Sequence, residues 1–382
     1  MTGGWGMGDG AGRMSWSGSV AGPAPKSIAT GRGGTGRFSL AGGRATIPAM
    51  PPSLPDRGAA GPLAHRVAAL LADGRCHSGE DLGRRLGVTR AAVAKAVARL
   101  AAGGLAVERR RGRGYRLPRP LELLDEAALR RAAGGLTLPL WLLVETDSTN
   151  DALWQRLGPD TPSGAACLAE VQRAGRGRRG RRWLATPYRN ITLSVAWRFP
   201  AGAAEVSGLS LAAGVAVAEA LADLDVRGVG LKWPNDVYID DRKLGGLLVE
   251  LRGEAGGPCW VVLGLGLNLS LDPPAAAGID RPWTSLADAR GTAVDRNRLA
   301  GRLWCRLVAA CRRFEGEGLA PFRDRWARLH LLAGRRVAVQ AHGRVLEGVV
   351  EGADANGALL LRDGRGRVHR LLSGEVSIGA IS

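Results

Sequence analysis

The sequence predicts a multidomain α+β protein. It has an N-terminal winged helix-turn-helix, a central α/β domain on a mixed sheet, and a small C-terminal β-barrel. Capped helical patterns and a basic hairpin fill residues 61–120, long apolar runs fill 121–330, and short strands between Gly-rich turns fill 331–382. Residues 1–60 lack apolar periodicity and are rich in Gly, Ser, Pro and Arg, so we expect a disordered tail. Met50, just before the patterned region, is an alternative candidate for the first residue.

Composition points to an anionic partner and to a cytoplasmic location. Among 382 residues, 53 Lys and Arg outnumber 35 Asp and Glu, a formal net charge of +18. This excess suits nucleic acid or nucleotides, although a GC-rich genome that favours Arg, Ala and Gly everywhere would also produce it. The five scattered cysteines form no C-x-x-C pair, which predicts reduced thiols and no disulfide framework or zinc cluster. No apolar run approaches the ~20 residues of a membrane span and no signal-peptide pattern is visible, so we expect no membrane contact.

The first folded segment has the pattern of a winged helix-turn-helix. Leu63–Ala72 shows helical spacing, Ser78 is placed to cap a second helix, and Thr89 is placed to cap a third. The basic hairpin Val107–Leu117 follows. A helical docking module is the alternative, but phosphate is the best partner for the hairpin arginines, which favours DNA. The candidate DNA contacts, to bases or to phosphates, are Thr89, Arg90, Lys95, Arg99, Arg111 and Arg113.

Strand-like and helical patterns alternate in the central segment. The predicted strands are Leu138–Glu145, Ala165–Val171, Ile191–Phe199, Val229–Trp233, Leu244–Arg252 and Trp260–Leu269. The predicted helices lie near Ser207–Leu224 and Arg296–Phe314. Because the apolar pattern is continuous in some strands and alternating in others, a mixed sheet with helical cover is expected. In the last segment, turns at residues 355–357 and 363–366 separate short strands, which is typical of a small barrel.

An unusual loop follows the second predicted strand. From Ala174 to Trp183 it holds five arginines among three glycines, and Gly175, Gly177 and Gly180 match the spacing G-x-G-x-x-G of dinucleotide-binding folds. Those folds require a helix directly after the glycines, whereas Pro187 and a β-rich segment follow here. The dinucleotide interpretation is therefore excluded. The loop is either an anion cradle or a solvated basic surface.

Three more polar motifs lie at the ends of predicted strands. They are Asp147-Ser148-Thr149-Asn150, Lys232-Trp233-Pro234-Asn235-Asp236, and the turn from Asp241 to Gly246 that presents Lys243. Taken alone, the first is typical of a helix cap and the lysine of a solvated turn. Their combination with the Arg/Gly loop in one domain has no structural explanation and indicates a ligand site.

This combination resembles a known bacterial family, the bifunctional biotin–protein ligases and biotin-operon repressors. The resemblance runs from about Gly61 to Ser382. It includes Gly-Arg-Gly-Tyr115-Arg-Leu-Pro, Gly-Leu-Gly-Leu-Asn268, Phe314-Glu-Gly-Glu-Gly-Leu-Ala-Pro and Gly374-Glu375-Val376-Ser377. It implies a catalytic domain related to class II aminoacyl-tRNA synthetases and an SH3-like C-terminal domain.

The resemblance also implies an activity. Biotin and ATP, with Mg²⁺, would give biotinyl-5′-AMP, and a lysine of a biotin carboxyl carrier protein would then take the biotinyl group. The adenylate would order the Arg/Gly loop, whose glycines and like charges predict mobility without ligand. It would also favour a homodimer that binds operator DNA and represses biotin synthesis genes.

Residue roles are implied in the same way. The catalytic residues would be Arg178, Lys232 and Lys243. The biotin site would comprise Ser148, Thr149, Asn150, Gln172, Gly175, Arg176, Gly177, Arg178 and Lys243. The nucleotide site would comprise Arg178, Arg181, Trp183, Asn235, Asp236 and Asn268, with Trp183 stacking on adenine. No metal ligand set is assigned, although Asn235 and Asp236 are the candidates nearest to a nucleotide-bound metal.

Two alternatives stay open. A regulator could bind biotin without transferring it, although the retained Lys232, Lys243 and Arg178 count against this. A lipoate or octanoate ligase would share the fold, but its pocket should be apolar and lack the pairing of Gln172 with Ser-Thr-Asn. No Cys or Ser nucleophile has a neighbouring His, so a covalent enzyme intermediate is not expected.

Overall fold

The computed structural model confirms the predicted fold class. It describes residues 62–200, 202, 205–253, 257–272, 278–279, 282–291, 294–341 and 344–377. The predicted disordered tail and the alternative start at Met50 lie outside these residues. Within the described residues, no helix is long and apolar enough to cross a membrane.

Three helices and a hairpin form the winged helix-turn-helix. They are α1 (Leu63–Leu71), α2 (Gly79–Leu86), α3 (Arg90–Ala102), β1 (Glu108–Arg110) and β2 (Gly114–Arg116). Ser78 Oγ accepts the backbone N–H of Asp81 at 3.0 Å, and Thr89 Oγ1 accepts that of Ala92 at 3.2 Å. Both predicted helix caps are therefore confirmed, and each satisfies an N–H group that the helix itself leaves unpaired.

The central domain is built on a mixed sheet of seven strands among the described residues. The strands are β3 (Leu140–Thr146), β4 (Ala166–Gln172), β5 (Asn190–Phe199), β6 (Val229–Lys232), β7 (Asp236–Ile239), β8 (Arg242–Gly253) and β9 (Cys259–Asn268). They lie in the order β3-β4-β5-β9-β8-β7-β6; β3 pairs with β4 in parallel, and the other five neighbouring pairs of these strands are antiparallel. The sequence missed β7 because its four residues follow β6 after a short turn.

Helices cover both faces of this sheet. They are α4 (Glu126–Ala132), α5 (Thr149–Trp154), α6 (Leu209–Ala222), α7 (Leu286–Arg290), α8 (Arg296–Glu317) and α9 (Arg323–Leu329). Helices α6 and α8 share the main core with Leu193 and Leu263, whereas α5 packs with Cys167 and Val262 on the opposite face. Both faces of the middle strands are therefore buried, which explains their continuous apolar runs.

The C-terminal segment forms a five-stranded antiparallel sheet. Its strands are β10 (Arg336–Ala341), β11 (Arg344–Ala353), β12 (Leu359–Arg362), β13 (Val368–Leu371) and β14 (Glu375–Ser377), in the order β13-β12-β11-β10-β14. The indole N–H of Trp233 donates to Gly357 O at 2.9 Å. This bond ties the C-terminal sheet to the motif that follows β6.

The winged domain packs directly on the central domain. Tyr188, in the segment before β5, is buried in the core of the winged domain, and its ring stacks on His65 with centroids 5.8 Å apart. Asp272, just after β9, is also buried and accepts Arg119 at 3.0 Å and the backbone N–H of Ala106 at 3.2 Å. The segments that follow the Arg/Gly loop and β9 are thus anchored in the winged domain.

A buried ion pair joins the start of α8 to the sheet. The Arg296 guanidinium and the Glu170 carboxylate contact each other, and the side chains are only 3% and 5% exposed. Arg296 also donates to the carbonyls of Asn190 and Glu122, and Glu170 accepts the backbone N–H of Leu124. Such a pair is tolerated in a low-dielectric core because nearly every remaining polar atom is bonded.

His330 predicts a pH-dependent contribution to stability. Its ring stacks on Trp326 with centroids 4.2 Å apart, and both ring nitrogens are buried without a hydrogen bond to any residue that the structure describes. Burial lowers its pKa from 6.5 to about 4. The unfolded chain therefore binds this proton more readily, and stability is lost as the pH falls from 6.5 towards 4. Lowering the pH from 7.5 to 5 should raise the free energy of unfolding of His330→Phe, relative to that of the wild type, by about 2 kcal/mol. Chemical denaturation at both pH values measures this, and a difference that does not vary with pH would refute it.

Candidate active site

A cavity of about 740 Å³ lies where the Arg/Gly loop, the β6–β7 turn and strands β8 and β9 meet. Seven cationic side chains line it: Arg176, Arg178, Arg179, Arg181, Arg182, Lys232 and Lys243. Among the described lining residues, Asp236 is the one carboxylate. The structure thus brings together the loop and the three motifs that the sequence singled out, and a site of this charge favours anions.

A chain of polar side chains forms the floor of the cavity. Gln172 Oε1 accepts the backbone N–H of Thr149 at 2.9 Å, and the Thr149 and Ser194 hydroxyls lie 2.8 Å apart. Ser194 Oγ lies 2.6 Å from Asn150 Oδ1, and Asn150 Nδ2 donates to Glu250 at 3.0 Å. The predicted pairing of Gln172 with the Ser-Thr-Asn motif is present. The hydrogen bonds continue into the sheet through Ser194 and Glu250, two residues that the sequence did not indicate.

Ser148 occupies the N-cap position of α5 without capping it. Its side chain makes no cap hydrogen bond, although its backbone is extended as at an N-cap. The helix-cap interpretation is therefore right for the position and wrong for the hydroxyl. That hydroxyl lines the cavity, where a ligand can reach it.

The Arg/Gly loop closes into a short hairpin. Gly177 N donates to Arg181 O at 2.7 Å, and Trp183 N donates to Gly175 O at 2.8 Å. Arg176, at its start, is bound between the carboxylates of Asp151 and Glu250, and the Asp151 hydrogen bond raises its pKa further. The resemblance implied Arg176 in the biotin site, and the structure pairs it with two protein carboxylates.

Lys243, Lys232 and Arg178 reach the same end of the cavity from three elements. Lys243 Nζ donates to Asp236 at 2.7 Å, with both side chains more than four-fifths buried. Lys232 Nζ lies 5.6 Å from the centre of the Tyr238 ring, and Arg178 donates to Asn235 Oδ1 at 3.4 Å. Lys243 lies within strand β8, so the solvated-turn alternative for this lysine is wrong.

Two glycines of β9 form one wall of the cavity. A Cβ on Gly264 would lie 2.4 Å from Asn150 Oδ1, and one on Gly266 would lie 2.3 Å from the Trp183 ring. Trp183 packs on that glycine, and its indole N–H is buried with no hydrogen-bond partner among the described residues. Asn268, two residues on, is buried and donates to Thr284 O at 3.2 Å. Here Trp183 and Asn268 make contacts within the protein.

Several lining residues were not found from the sequence. Gly264, Trp283, Gly374 and Val376 line the cavity, and Ser194 and Glu250 lie behind it. The alternation Gly264-Leu265-Gly266 within a predicted strand was a usable signal, because glycine in a strand marks close approach of another group. Ser194 and Glu250 had no signal, since each is a single polar residue in an apolar strand.

The predicted DNA contacts are mostly exposed. Arg90, Lys95, Arg111 and Arg113 are exposed on α3 and the wing. Thr89 is also exposed, but its hydroxyl caps α3. Arg99 donates to Glu145 on β3 at 3.3 Å, so the structure directs this residue to the central domain.

Comparison with known proteins agrees with this architecture. Residues 65–116 match the "HTH domain" model, 143–268 the "Biotin/lipoate A/B protein ligase family" model, and 333–379 the "Biotin protein ligase C terminal domain" model. The bifunctional ligase/repressor BirA of Salmonella typhimurium is 41% identical over 312 residues, which cover 82% of this chain and 96% of that protein. The chain belongs to the BirA family. Escherichia coli BirA is 41% identical over 314 residues, with the same two coverages.

A solved structure with the ligase fold is also similar. The biotin protein ligase of Aquifex aeolicus, in complex with biotin and ATP, superposes with a TM-score of 0.53 at 26% identity. The match covers 63% of this chain and 97% of that one. BirA-family membership accounts for the three matched segments in their order along the chain.

Proposed function

We propose that this protein is a biotin–protein ligase and a biotin-responsive repressor. It forms biotinyl-5′-AMP from biotin and ATP and transfers biotin to one lysine of a biotin carboxyl carrier protein. One cavity contains both a cationic end around Lys243 and a polar floor around Asn150, and this observation supports the proposal best. Residues 61–120, 121–330 and 331–382 act as its DNA-binding, catalytic and C-terminal domains.

The cationic end suits adenylate formation. The biotin carboxylate must approach an α-phosphate, and two anions meet only where positive charge is fixed in advance. Lys243 and Arg178 come from different elements and contact Asp236 and Asn235, which are neighbours in sequence. Lys243 holds the carboxylate and then a phosphoryl oxygen, Arg178 bridges both anions through its planar fork, and Lys232 adds charge beside them.

The polar floor suits the ureido ring. That ring is uncharged and has two N–H donors and one carbonyl acceptor, so its recognition needs paired polar groups. Ser148, Thr149, Asn150 and Gln172 all line this part of the cavity. A lipoate or octanoate tail would leave these buried groups unpaired, which is costly.

Asp236 is the carboxylate that fits a nucleotide-bound Mg²⁺. This ion is commonly held by one or two carboxylates together with substrate phosphates and water. Asp236 contacts Lys243 inside the cavity and meets that description. When bound, Mg²⁺ would neutralise phosphate charge. Arg181, Trp183, Asn235 and Asn268 stay predictions for the nucleotide side.

The regulatory half rests on the winged domain. The exposed Arg90, Lys95, Arg111 and Arg113 suit operator phosphates and bases. We propose that the adenylate-bound protein dimerises in the cytoplasm, without membrane contact, and then binds the operator. A gel shift with DNA upstream of the biotin synthesis genes tests this, and retardation should require both biotin and ATP.

Carrier labelling tests the enzymatic half. The full chain with ATP, Mg²⁺ and biotin should add one biotinyl group to a single lysine of a carrier domain, and excess lipoate should not compete. Labelling would be detected by mass spectrometry of the intact carrier and its peptides. No label on any of several carrier domains would refute the ligase activity and leave a regulator that only binds biotin. Inhibition by lipoate would instead favour the lipoate ligase alternative.

A further inference from the structure

We infer that Glu250 is a positioning residue that fixes the hydrogen-bond polarity of the cavity floor, and so selects a ligand that presents N–H donors. Glu250 does not line the cavity itself; it acts through Asn150 and Ser194. This inference rests on the proposed function, because it concerns how the same site recognises the ureido ring.

Glu250 lies in the last third of β8 and contacts three donors. Its Oε2 accepts Asn150 Nδ2 at 3.0 Å and the indole N–H of Trp154 at 3.2 Å, while Oε1 accepts Arg176 at 3.0 Å. Paired with the Arg176 guanidinium, this ionised carboxylate has acceptors only. The Asn150 amide must therefore turn its NH₂ group towards Glu250 and its oxygen away from it.

The orientation of the Asn150 amide fixes which of the next side chains in the floor donate and which accept. Asn150 Oδ1 can only accept, so the Ser194 hydroxyl, 2.6 Å away and fully buried, donates its hydrogen there. Ser194 then has only lone pairs for the Thr149 hydroxyl at 2.8 Å, and Thr149 donates its hydrogen there rather than to Gln172 Oε1, its more distant acceptor at 3.2 Å. All the hydrogens in this chain point towards Glu250.

This polarity decides what the floor offers a ligand. Because the Thr149 hydroxyl directs its hydrogen at Ser194, its oxygen is an acceptor at the cavity surface. Asn150 Oδ1 keeps a second lone pair on the side of Gly264. Both atoms suit ligand N–H groups. A ligand with an oxygen in place of an N–H would meet lone pairs and be rejected.

Glu250→Gln is the decisive variant, because the new amide has the same shape and can also donate. The new NH₂ group turns away from the Arg176 cation and towards Asn150, and the Trp154 indole N–H loses its acceptor. The Asn150 amide can then turn over and reverse the direction of the hydrogen bonds in the floor. The measurement is kcat/KM of adenylation for biotin and for its two cyclic carbamate isomers, in each of which an oxygen replaces one ureido N–H. We expect the preference for biotin over at least one isomer to fall about tenfold, with the KM for ATP within about twofold of the wild type.

Two more variants separate this role from others. Asp151→Asn removes the other carboxylate that contacts Arg176 and keeps the hydrogen bond between Glu250 and Asn150. This variant should therefore keep the wild-type preference for biotin over the carbamate isomers. Ser194→Ala interrupts the series of hydrogen bonds between Asn150 and Thr149 and should also lower the preference for biotin. It therefore tests the inference even if Glu250→Gln folds poorly. An unchanged preference in Glu250→Gln and Ser194→Ala would overturn the inference, and so would an equal loss in Asp151→Asn. Absence of adenylation by the wild-type chain would instead count against the proposed function.

Discussion

Replacing Lys243 by alanine should lower the rate of biotin adenylation about a hundred- to a thousandfold, the loss seen when one preorganised donor is removed from an active site. Lys243 Nζ lies in the cavity at 2.7 Å from Asp236, and its side chain is only 17% exposed. The variant loses the cation that we propose meets the reacting anions, and it leaves the Asp236 carboxylate in the cavity without this partner. Both effects oppose the approach of the carboxylate to the phosphate.

The measurement is single-turnover formation of biotinyl-adenylate in the absence of carrier. Arg242→Ala is the matched control, because Arg242 is the exposed neighbour of Lys243 on β8 and successive strand residues point to opposite faces. The control should react within about twofold of the wild type, because its side chain lies outside the cavity. Folding should be preserved in both variants. A Lys243→Ala rate near that of Arg242→Ala would remove Lys243 from the proposed mechanism.

Replacing Arg296 by alanine should lower the free energy of unfolding by about 3–5 kcal/mol, the cost of leaving a buried charge without its partner. Glu170 would keep its carboxylate, which is 5% exposed, with a backbone N–H as the remaining contact described here. The carbonyls of Asn190 and Glu122 would lose a donor as well. The start of α8 would then be held to the sheet mainly by apolar packing.

Arg306 provides the comparison for this prediction. It pairs with Asp223 at 2.7 Å, but its side chain is 40% exposed. Because solvent screens such a pair, Arg306→Ala should cost less than about 1 kcal/mol. Chemical denaturation followed by circular dichroism compares both variants with the wild type. Equal losses of unfolding free energy in Arg296→Ala and Arg306→Ala would show that burial does not determine how much the Arg296–Glu170 pair contributes to stability.

The sequence predicted the fold well where a local signal was strong. The caps at Ser78 and Thr89 lie directly before amphipathic runs, and the long apolar strands are buried on both faces. The motifs containing Asn150, Lys243 and the Arg/Gly loop were each ambiguous alone. Their combination predicted one pocket because the strand ends of a sheet bring separate motifs together.

The sequence could not predict which partner each polar residue takes. Arg176 is one of five arginines in its loop, and only the fold places Asp151 and Glu250 on either side of it. Arg99 is a candidate DNA contact on the predicted third helix, yet Glu145 on β3 lies within 3.3 Å of it. Glu250 had no recognisable motif. Pairings of this kind depend on register and on which strands are neighbours, and one sequence without its fold holds little of that information.

We propose that the cavity joins biotin to AMP before any carrier is present. The most direct test incubates the full chain with biotin, ATP and Mg²⁺, quenches it, and identifies the bound nucleotide by mass spectrometry while pyrophosphate is assayed. We predict protein-bound biotinyl-adenylate and pyrophosphate in amounts stoichiometric with the chain, both absent without biotin. Bound biotin beside intact ATP, with no pyrophosphate released, would contradict the account.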